Sequence, residues 1–141
     1  MLSAYPACFF KEESGYSVVF PDLNYLSTCG DSLDEALSAA IDCLAGYLYV
    51  SEKDGEVILP PSDPSAVDLK AVASELGVPA PPSSFVNVVT VDVKEYAKKH
   101  FERSVKKTLT IPVWLNEAAQ REGLNFSQVL QEALKERLSI N

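Results

Sequence analysis

The chain is poor in the residue types on which most catalytic and metal sites depend. Its 141 residues include a single histidine, His100, with no nucleophile motif near it. The three cysteines, Cys8, Cys29 and Cys43, lack the Cys-x-x-Cys spacing of a metal or redox site, and their odd number favours reduced thiols. We therefore expect no catalytic residue, no metal and no cofactor, and we predict that the chain is not an enzyme.

Long hydrophobic runs are also missing. No apolar stretch reaches the roughly 18 residues that a membrane-spanning helix needs, and no basic segment followed by a short apolar stretch opens the chain. Hydrophobic residues make up 47% of the sequence, which allows one ordinary core, or a small core plus a segment that shares its core with a partner. We therefore expect a folded, soluble, cytoplasmic protein without a membrane partner.

Acidic side chains outnumber basic ones overall, but the two signs are unevenly distributed. Residues 1–93 carry three basic and fourteen acidic side chains, whereas residues 94–141 carry nine basic and six acidic ones. The balances of −11 and +3 predict two parts with different partners. Charge alone leaves open the alternative of an acidic protein with a less acidic tail.

The first hundred residues favour strands interrupted by helices. Aromatic and β-branched residues concentrate in five segments bounded by turn residues: Tyr5–Phe10, Tyr16–Phe20, Tyr25–Cys29, Val57–Leu59 and Phe85–Val91. The pair Ser32 and Glu35 predicts a helix start after the third strand, and apolar residues recur from there at helical spacing: Leu33, Ala36, Leu37, Ala40, Ile41, Leu44 and Leu48. The predicted order through the fourth strand is β-β-β-α-β, in an α+β fold.

Proline dominates the connection between the last two predicted strands. Residues 60–84 hold six of the nine prolines, around a short helical pattern from Asp68 to Leu76 that Gly77 can end. Beyond the fifth strand, Asp92 and Glu95 predict a further short helix to about His100.

The last 36 residues predict one strand and two helices. Lys106–Ile111 alternates as a strand and is ended by Pro112, which suits a first helical position. A helix follows to about Glu122, Gly123 breaks it, and Asn125 with Gln128 caps a second helix.

A lone strand followed by two short helices cannot pair its own backbone groups. An identical strand from a second chain, antiparallel about a two-fold axis, solves this and lets four helices share one core. The predicted dimer core consists of Leu109, Ile111, Leu130 and Leu134. We therefore expect a homodimer through the C-terminal segment, and the sequence leaves open whether two dimers join into a tetramer.

The alternation of the strand gives its outer face a possible role in DNA binding. Lys106, Thr108 and Thr110 point away from the helices, and a two-stranded ribbon fits the DNA major groove. Lys107 belongs to the inward face but lies near the strand end, where it can reach a phosphate. Free amides at the second helix start can anchor another phosphate, which adds three residues to the predicted DNA contacts: Asn125, Phe126 and Ser127. The alternative, a protein-interaction module whose tail only dimerises, stays open.

Two family resemblances cover most of the chain. The order of strand, proline, helix, glycine and capped helix over about Val105 to Leu138 resembles the ribbon-helix-helix repressors. Phe20–Leu23 (Phe-Pro-Asp-Leu) and Gly30–Leu37 (Gly-Asp-Ser-Leu-Asp-Glu-Ala-Leu) resemble the hallmark of the HicB antitoxins. The departure is Asn24-Tyr25, where that family commonly has Pro-Gly, so the loop before the third strand is expected to differ in shape.

The resemblance implies an antitoxin with two domains. It implies a partial RNase H-like domain over 1–100, including the spacer 60–84, then a linker over 101–105 and a ribbon-helix-helix domain over 106–141. The implied partners are a HicA-like toxin that cleaves mRNA and operator DNA. By binding the operator, the protein is expected to repress its own operon. The toxin-contacting residues and the operator sequence are not implied.

An RNase H-like sheet also suggests a two-metal nuclease, which needs several converging carboxylates. Asp22 lies in a predicted turn, however, and Asp31, Asp34 and Glu35 have capping or first-turn roles that need no metal. We therefore expect no metal-dependent catalysis.

Overall fold

A four-stranded antiparallel sheet organises the N-terminal part of the chain in the computed structural model, which describes residues 1–140. The strands are β1 (Ser3–Lys11), β2 (Tyr16–Phe20), β3 (Leu26–Gly30) and β4 (Phe85–Val91), in the spatial order β3-β2-β1-β4. Four of the five strands predicted for this part are thus confirmed. The register pairs Phe9 with Val18 on one side of β1 and with Phe85 on the other.

The strand predicted at Val57–Leu59 is wrong. These residues belong to no ladder, and β4 instead pairs with β1, from Ser3 opposite Val91 to Phe9 opposite Phe85. Two prolines, Pro60 and Pro61, also follow the segment directly and cannot donate ladder hydrogen bonds.

Three helices accompany the sheet, and the first and third begin after the predicted caps Ser32 and Asp92. They are α1 (Leu33–Lys53), α2 (Leu69–Leu76) and α3 (Val93–His100). The Ser32 hydroxyl accepts from the Glu35 amide at 3.1 Å, while the Glu35 carboxylate accepts from the amide of Asp31 rather than that of Ser32. Gly77 ends α2 with a left-handed φ of 67°. Local capping chemistry therefore fixes where these helices start and stop.

The helices cover both faces of the sheet. Against one face α1 packs Ala36, Ala40, Leu44 and Leu48, although Leu33, at the start of the predicted stripe, is exposed. The buried side chains of the sheet in this cluster are Tyr5, Ala7, Phe9, Val18, Phe20, Val89 and Val91. On the opposite face, Val72 and Ala73 of α2 pack against a smaller cluster of Cys8, Phe10 and Val19.

The chain divides into two compact units, Met1–Arg103 and the residues from Ser104 onward. Phe101, which the sequence placed in a linker, lies in the first unit with its ring centroid 5.4 Å from that of Tyr49 and 5.5 Å from that of Tyr96. The second unit contains α4 (Val113–Arg121) and α5 (Phe126–Leu138), separated at Gly123 with φ 66°. Among the described residues, Lys106–Ile111 enters no ladder within this chain, so its predicted pairing with a second chain stays a prediction.

None of the helices formed by residues 1–140 is both long and apolar enough to cross a membrane.

Gly30 allows the sheet and α1 to approach closely. A Cβ at this position would overlap the backbone nitrogen of Ala36 and lie 2.6 Å from the carbonyl carbon of Glu35. We predict that Gly30→Ala lowers the free energy of unfolding by about 2–4 kcal/mol, because neither backbone atom can move without displacing α1. Urea denaturation followed by circular dichroism measures this.

Gly46→Ala is the matched control. Gly46 lies within α1, where an added Cβ meets only the Phe101 ring at 3.8 Å. Removing a helix-interior glycine there should raise the free energy of unfolding by up to about 1 kcal/mol. Equal effects of the two substitutions would contradict the close approach at Gly30.

The three cysteines differ in accessibility. All are free thiols, with Cys8 buried, Cys43 half-buried and Cys29 exposed. Burial raises the pKa of the Cys8 thiol to about 11. We predict that a thiol reagent at about pH 8 modifies Cys29 rapidly and Cys8 only in the unfolded chain, because so little Cys8 thiolate exists in the folded protein. Mass spectrometry of digested peptides reads this; rapid native labelling of Cys8 would contradict its burial.

Candidate functional site

The predicted DNA-contacting side chains lie on an exposed segment before α4. Lys106, Lys107, Thr108 and Thr110 are all exposed. Within residues 1–140, no hydrogen bond holds the backbone groups of Lys106–Ile111. The segment is therefore free to pair with another strand.

The second unit buries none of its own apolar side chains. Leu109 is 62% and Leu134 is 52% exposed, Ile111 is exposed and Leu130 is half-buried. Further exposed apolar side chains of the unit include Val113, Trp114, Leu115, Phe126, Val129 and Leu138. Exposed apolar surface on this scale is typical of an interaction site.

The start of α5 brings together the three residues predicted to anchor a phosphate. The Asn125 side chain accepts from the Gln128 amide at 3.1 Å and so caps the helix, and Phe126 and Ser127 are exposed in the first turn. The positive end of the helix dipole lies at the same place. The arrangement presents backbone amides to solvent beside a cap.

A polar network surrounds the Phe20–Leu23 motif in the first unit. The Asp22 carboxylate accepts from the Ser62 amide at 2.8 Å and from its hydroxyl at 2.6 Å. The Tyr5 hydroxyl donates to the Leu59 carbonyl at 2.7 Å. Burial raises the pKa of Tyr5, and the neighbouring Asp22 and Tyr47 raise it further. Asp22 thus anchors the proline-rich connection, a role that the sequence motif alone did not indicate.

The Asn24-Tyr25 loop has an unusual backbone. Both residues have φ near 57°, the left-handed region, which costs a residue other than glycine about 1–2 kcal/mol. The Asn24 amide donates to the Tyr47 hydroxyl at 3.0 Å, and Tyr25 is exposed. The loop is therefore held in a strained form that presents Tyr25 at the surface.

A groove of about 810 Å³ runs beside α2 on the second face of the sheet. Its apolar wall is formed by Leu76, Val78, Pro79 and Pro81, with Phe10 and Val19 as its floor. The acidic side chains at its rim belong to the turn between β1 and β2.

The acidic residues of the first unit do not converge. Asp22 is engaged by Ser62, and Glu35 by the amide of Asp31. Among residues 1–140, no group of three histidine, cysteine, aspartate or glutamate side chains is placed to hold a metal ion.

Comparison with known proteins identifies the family of the chain. The model of the HicB-like antitoxins of bacterial toxin-antitoxin systems matches residues 5–133. The chain belongs to the HicB-like antitoxin family. The family predicted from Phe20–Leu23 and Gly30–Leu37 is confirmed, and the chain is the antitoxin component of a toxin-antitoxin system.

Solved structures show what the antitoxin resembles. A chain of the toxin-antitoxin complex from Streptococcus pneumoniae is 31% identical over 97% of the antitoxin and 99% of that chain, with a TM-score of 0.63. The Burkholderia pseudomallei antitoxin HicB is 18% identical over 96% of this chain and 98% of its own, with a TM-score of 0.49. A search of curated proteins gives no match to the antitoxin.

The exposed apolar residues of the second unit generate a prediction about its assembly. We predict that Leu134→Asp converts a dimer into a monomer, because the shared core would offer the new carboxylate no partner. Burying that carboxylate should weaken the free energy of dimerisation by about 3 kcal/mol. Light scattering coupled to size exclusion measures the mass.

Lys135→Asp is the control, since Lys135 is its exposed neighbour outside the apolar stripe of α5. It should leave the mass unchanged. A dimer of the Leu134→Asp protein would show that another surface holds the two chains together.

Proposed function

We propose that the antitoxin neutralises a HicA-like, RNA-cleaving toxin through its N-terminal domain and represses its own operon by binding operator DNA as a dimer through its C-terminal domain. The proposal of a DNA-binding dimer rests on the exposed apolar side chains of the second unit, in which Leu109 and Leu134 are more than half exposed. In this proposal the first unit, Met1–Arg103, is a partial RNase H-like domain that extends past the predicted boundary at residue 100, and residues 106–141 are a ribbon-helix-helix domain.

The dimer gives a role to each face of Lys106–Ile111. Two copies of the segment pair antiparallel, so that Leu109 and Ile111 face the four helices of the dimer and join Leu130 and Leu134 in one core. The unpaired backbone of the segment and the exposure of these side chains in the single chain support this arrangement. In this proposal the antitoxin acts as a homodimer, and both a dimer and a tetramer of two such dimers are compatible with it.

The opposite face of the ribbon reads DNA. Lys106, Thr108 and Thr110 enter the major groove, where lysine and threonine hydrogen-bond base edges, and Lys107 contacts a phosphate. Asn125, Phe126 and Ser127 at the start of α5 hold a second phosphate through free amides and the helix dipole. The exposure of all seven residues and the positive balance of residues 94–141 support this interface.

Toxin neutralisation belongs to the other domain. A protein that binds RNA presents a basic surface, and the −11 balance of residues 1–93 complements it. Membership of the toxin-antitoxin family supports a toxin as the partner, and the relative from Streptococcus pneumoniae comes from a toxin-antitoxin complex. The toxin and the operator therefore meet different parts of the chain.

The ribbon is tested by replacing its three outward residues. We predict that the variant Lys106→Ala, Thr108→Ala, Thr110→Ala loses sequence-specific operator binding while its fold, dimer mass and toxin inhibition persist. A base-reading contact contributes roughly 1–3 kcal/mol and the dimer presents each residue twice, so the gel shift with the protein's own upstream DNA should disappear at moderate salt.

Lys107→Ala is the matched control within the same segment. It should weaken binding to all DNA sequences about equally and reduce the slope of log affinity against log salt by about one for each phosphate that the lysine no longer neutralises. Undiminished, sequence-selective binding by the triple variant would exclude the ribbon as the reader. Absence of any gel shift with the unaltered antitoxin would favour the alternative, a tail that only dimerises.

A further inference from the structure

The segment Glu56–Leu59 is a strand-forming stretch that lacks a strand partner. Its sequence predicts a strand, yet within residues 1–140 the amides of Val57, Ile58 and Leu59 and the carbonyls of Val57 and Ile58 make no hydrogen bond. Ile58 packs against the main core, while Val57 is 92% and Leu59 is 57% exposed. The segment therefore offers both backbone groups and apolar side chains to a neighbour.

The segment is nevertheless held in place at both ends. At its start the Glu56 amide donates to the Ser51 carbonyl of α1 at 2.9 Å. At its end the Leu59 carbonyl accepts from Tyr5, and Asp22 binds Ser62 through two hydrogen bonds. Leu59 also precedes Pro60, which restricts its backbone to extended conformations. Because the segment is already ordered, binding of a partner costs the antitoxin little conformational entropy.

Further apolar groups lie beside the segment. Val50 of α1 is exposed and immediately precedes Ser51, whose carbonyl binds the Glu56 amide. Tyr47 lies one helical turn before Val50, and its hydroxyl binds the Asn24 amide. The strained loop that presents Tyr25 is thus tied to the same end of α1, so aromatic and aliphatic side chains border the free backbone.

Charge decides which kind of partner fits. Three exposed carboxylates, Glu52, Asp54 and Glu56, flank the segment, and Lys53 among them points over the Tyr49 ring, with its Nζ 4.5 Å from the ring centroid. A second copy would bring like charges together across a short ladder. A basic segment of an RNA-binding protein would meet opposite charges instead.

We propose that Glu56–Leu59, with Val50 beside it, is the edge on which the toxin docks. An extended, basic segment of the toxin adds as a strand, its backbone pairs with Val57–Leu59, and its side chains pack on Val57 and Leu59. This inference rests on the proposed neutralisation of a HicA-like toxin and names the surface that performs it.

The side-chain contribution is tested in the full-length antitoxin with the variant Val57→Ser, Leu59→Ser. Calorimetric titration with the purified toxin encoded beside the antitoxin gene should give an affinity at least about 30-fold weaker than that of the unaltered antitoxin. The urea midpoint and the operator gel shift should not change, because both side chains are exposed. Neutral serine avoids adding a charge that a basic partner would attract.

The matched control is Leu76→Ser, Val78→Ser, which removes two exposed apolar side chains from the wall of the groove beside α2. Its affinity for the toxin should equal that of the unaltered antitoxin. A weakened affinity in this control with full binding by the Val57, Leu59 variant would overturn the proposal and assign docking to the groove. If the unaltered antitoxin fails to bind the toxin, the proposed function itself fails.

Strand addition also has a backbone signature. In hydrogen exchange of the unaltered antitoxin, amides of a peptide covering residues 56–59 should exchange at least about 10-fold more slowly when the toxin is bound. Unchanged exchange there in a tight complex would refute strand addition while leaving neutralisation intact. Slowing that requires only a higher antitoxin concentration, without toxin, would show that a second copy occupies the edge and would also overturn the proposal.

Discussion

Among residues 104–140 no apolar side chain is buried, and the proposed dimer and its DNA contacts both follow from this constraint. Leu109, Ile111 and Leu134 are exposed in the single chain, and neither α4 nor α5 contains a fully buried residue. Burial of such side chains is the main favourable term in folding, so a single copy of this unit gains little of that stabilisation. Under the proposed dimer, DNA binding therefore depends on antitoxin concentration as well as on the side chains that contact bases.

The N-terminal unit, in contrast, buries its apolar side chains within one chain. The sheet and α1 enclose Phe9, Val18, Phe20 and Leu44 in one core, and α2 covers a second cluster on the other face. Because this core is complete within one chain, the surface of the unit is free to serve a partner without first assembling. Most of the chain's negative charge lies here, whereas the residues after Val93 carry a positive balance. The first unit encloses its own core, whereas the apolar side chains of the second unit are exposed, so the two units present different surfaces to partners.

The sequence predicted best those features that depend on near neighbours. Helix starts at Ser32, Asp68, Asp92 and Asn125 were correct, because each cap bonds an amide two or three residues away. The strand at Val57–Leu59 was wrong, because a strand also needs a partner distant in sequence, and this segment pairs with none of the four strands. The anchoring of Ser62 by Asp22 joins residues 40 apart, and no local pattern encodes it. The proposed ribbon would join two chains, so its contacts remain predictions.

Both unpaired strand-forming segments are limited by proline. Pro60 and Pro61 follow Val57–Leu59, and Pro112 follows Lys106–Ile111. Proline lacks the amide that the next rung of a ladder requires, so neither segment can extend its pairing toward the C-terminus. A ladder that cannot lengthen past its proline exposes less edge to open-ended association, which is the main hazard of an exposed strand. The prolines after both segments therefore limit how much unpaired strand edge each segment can offer.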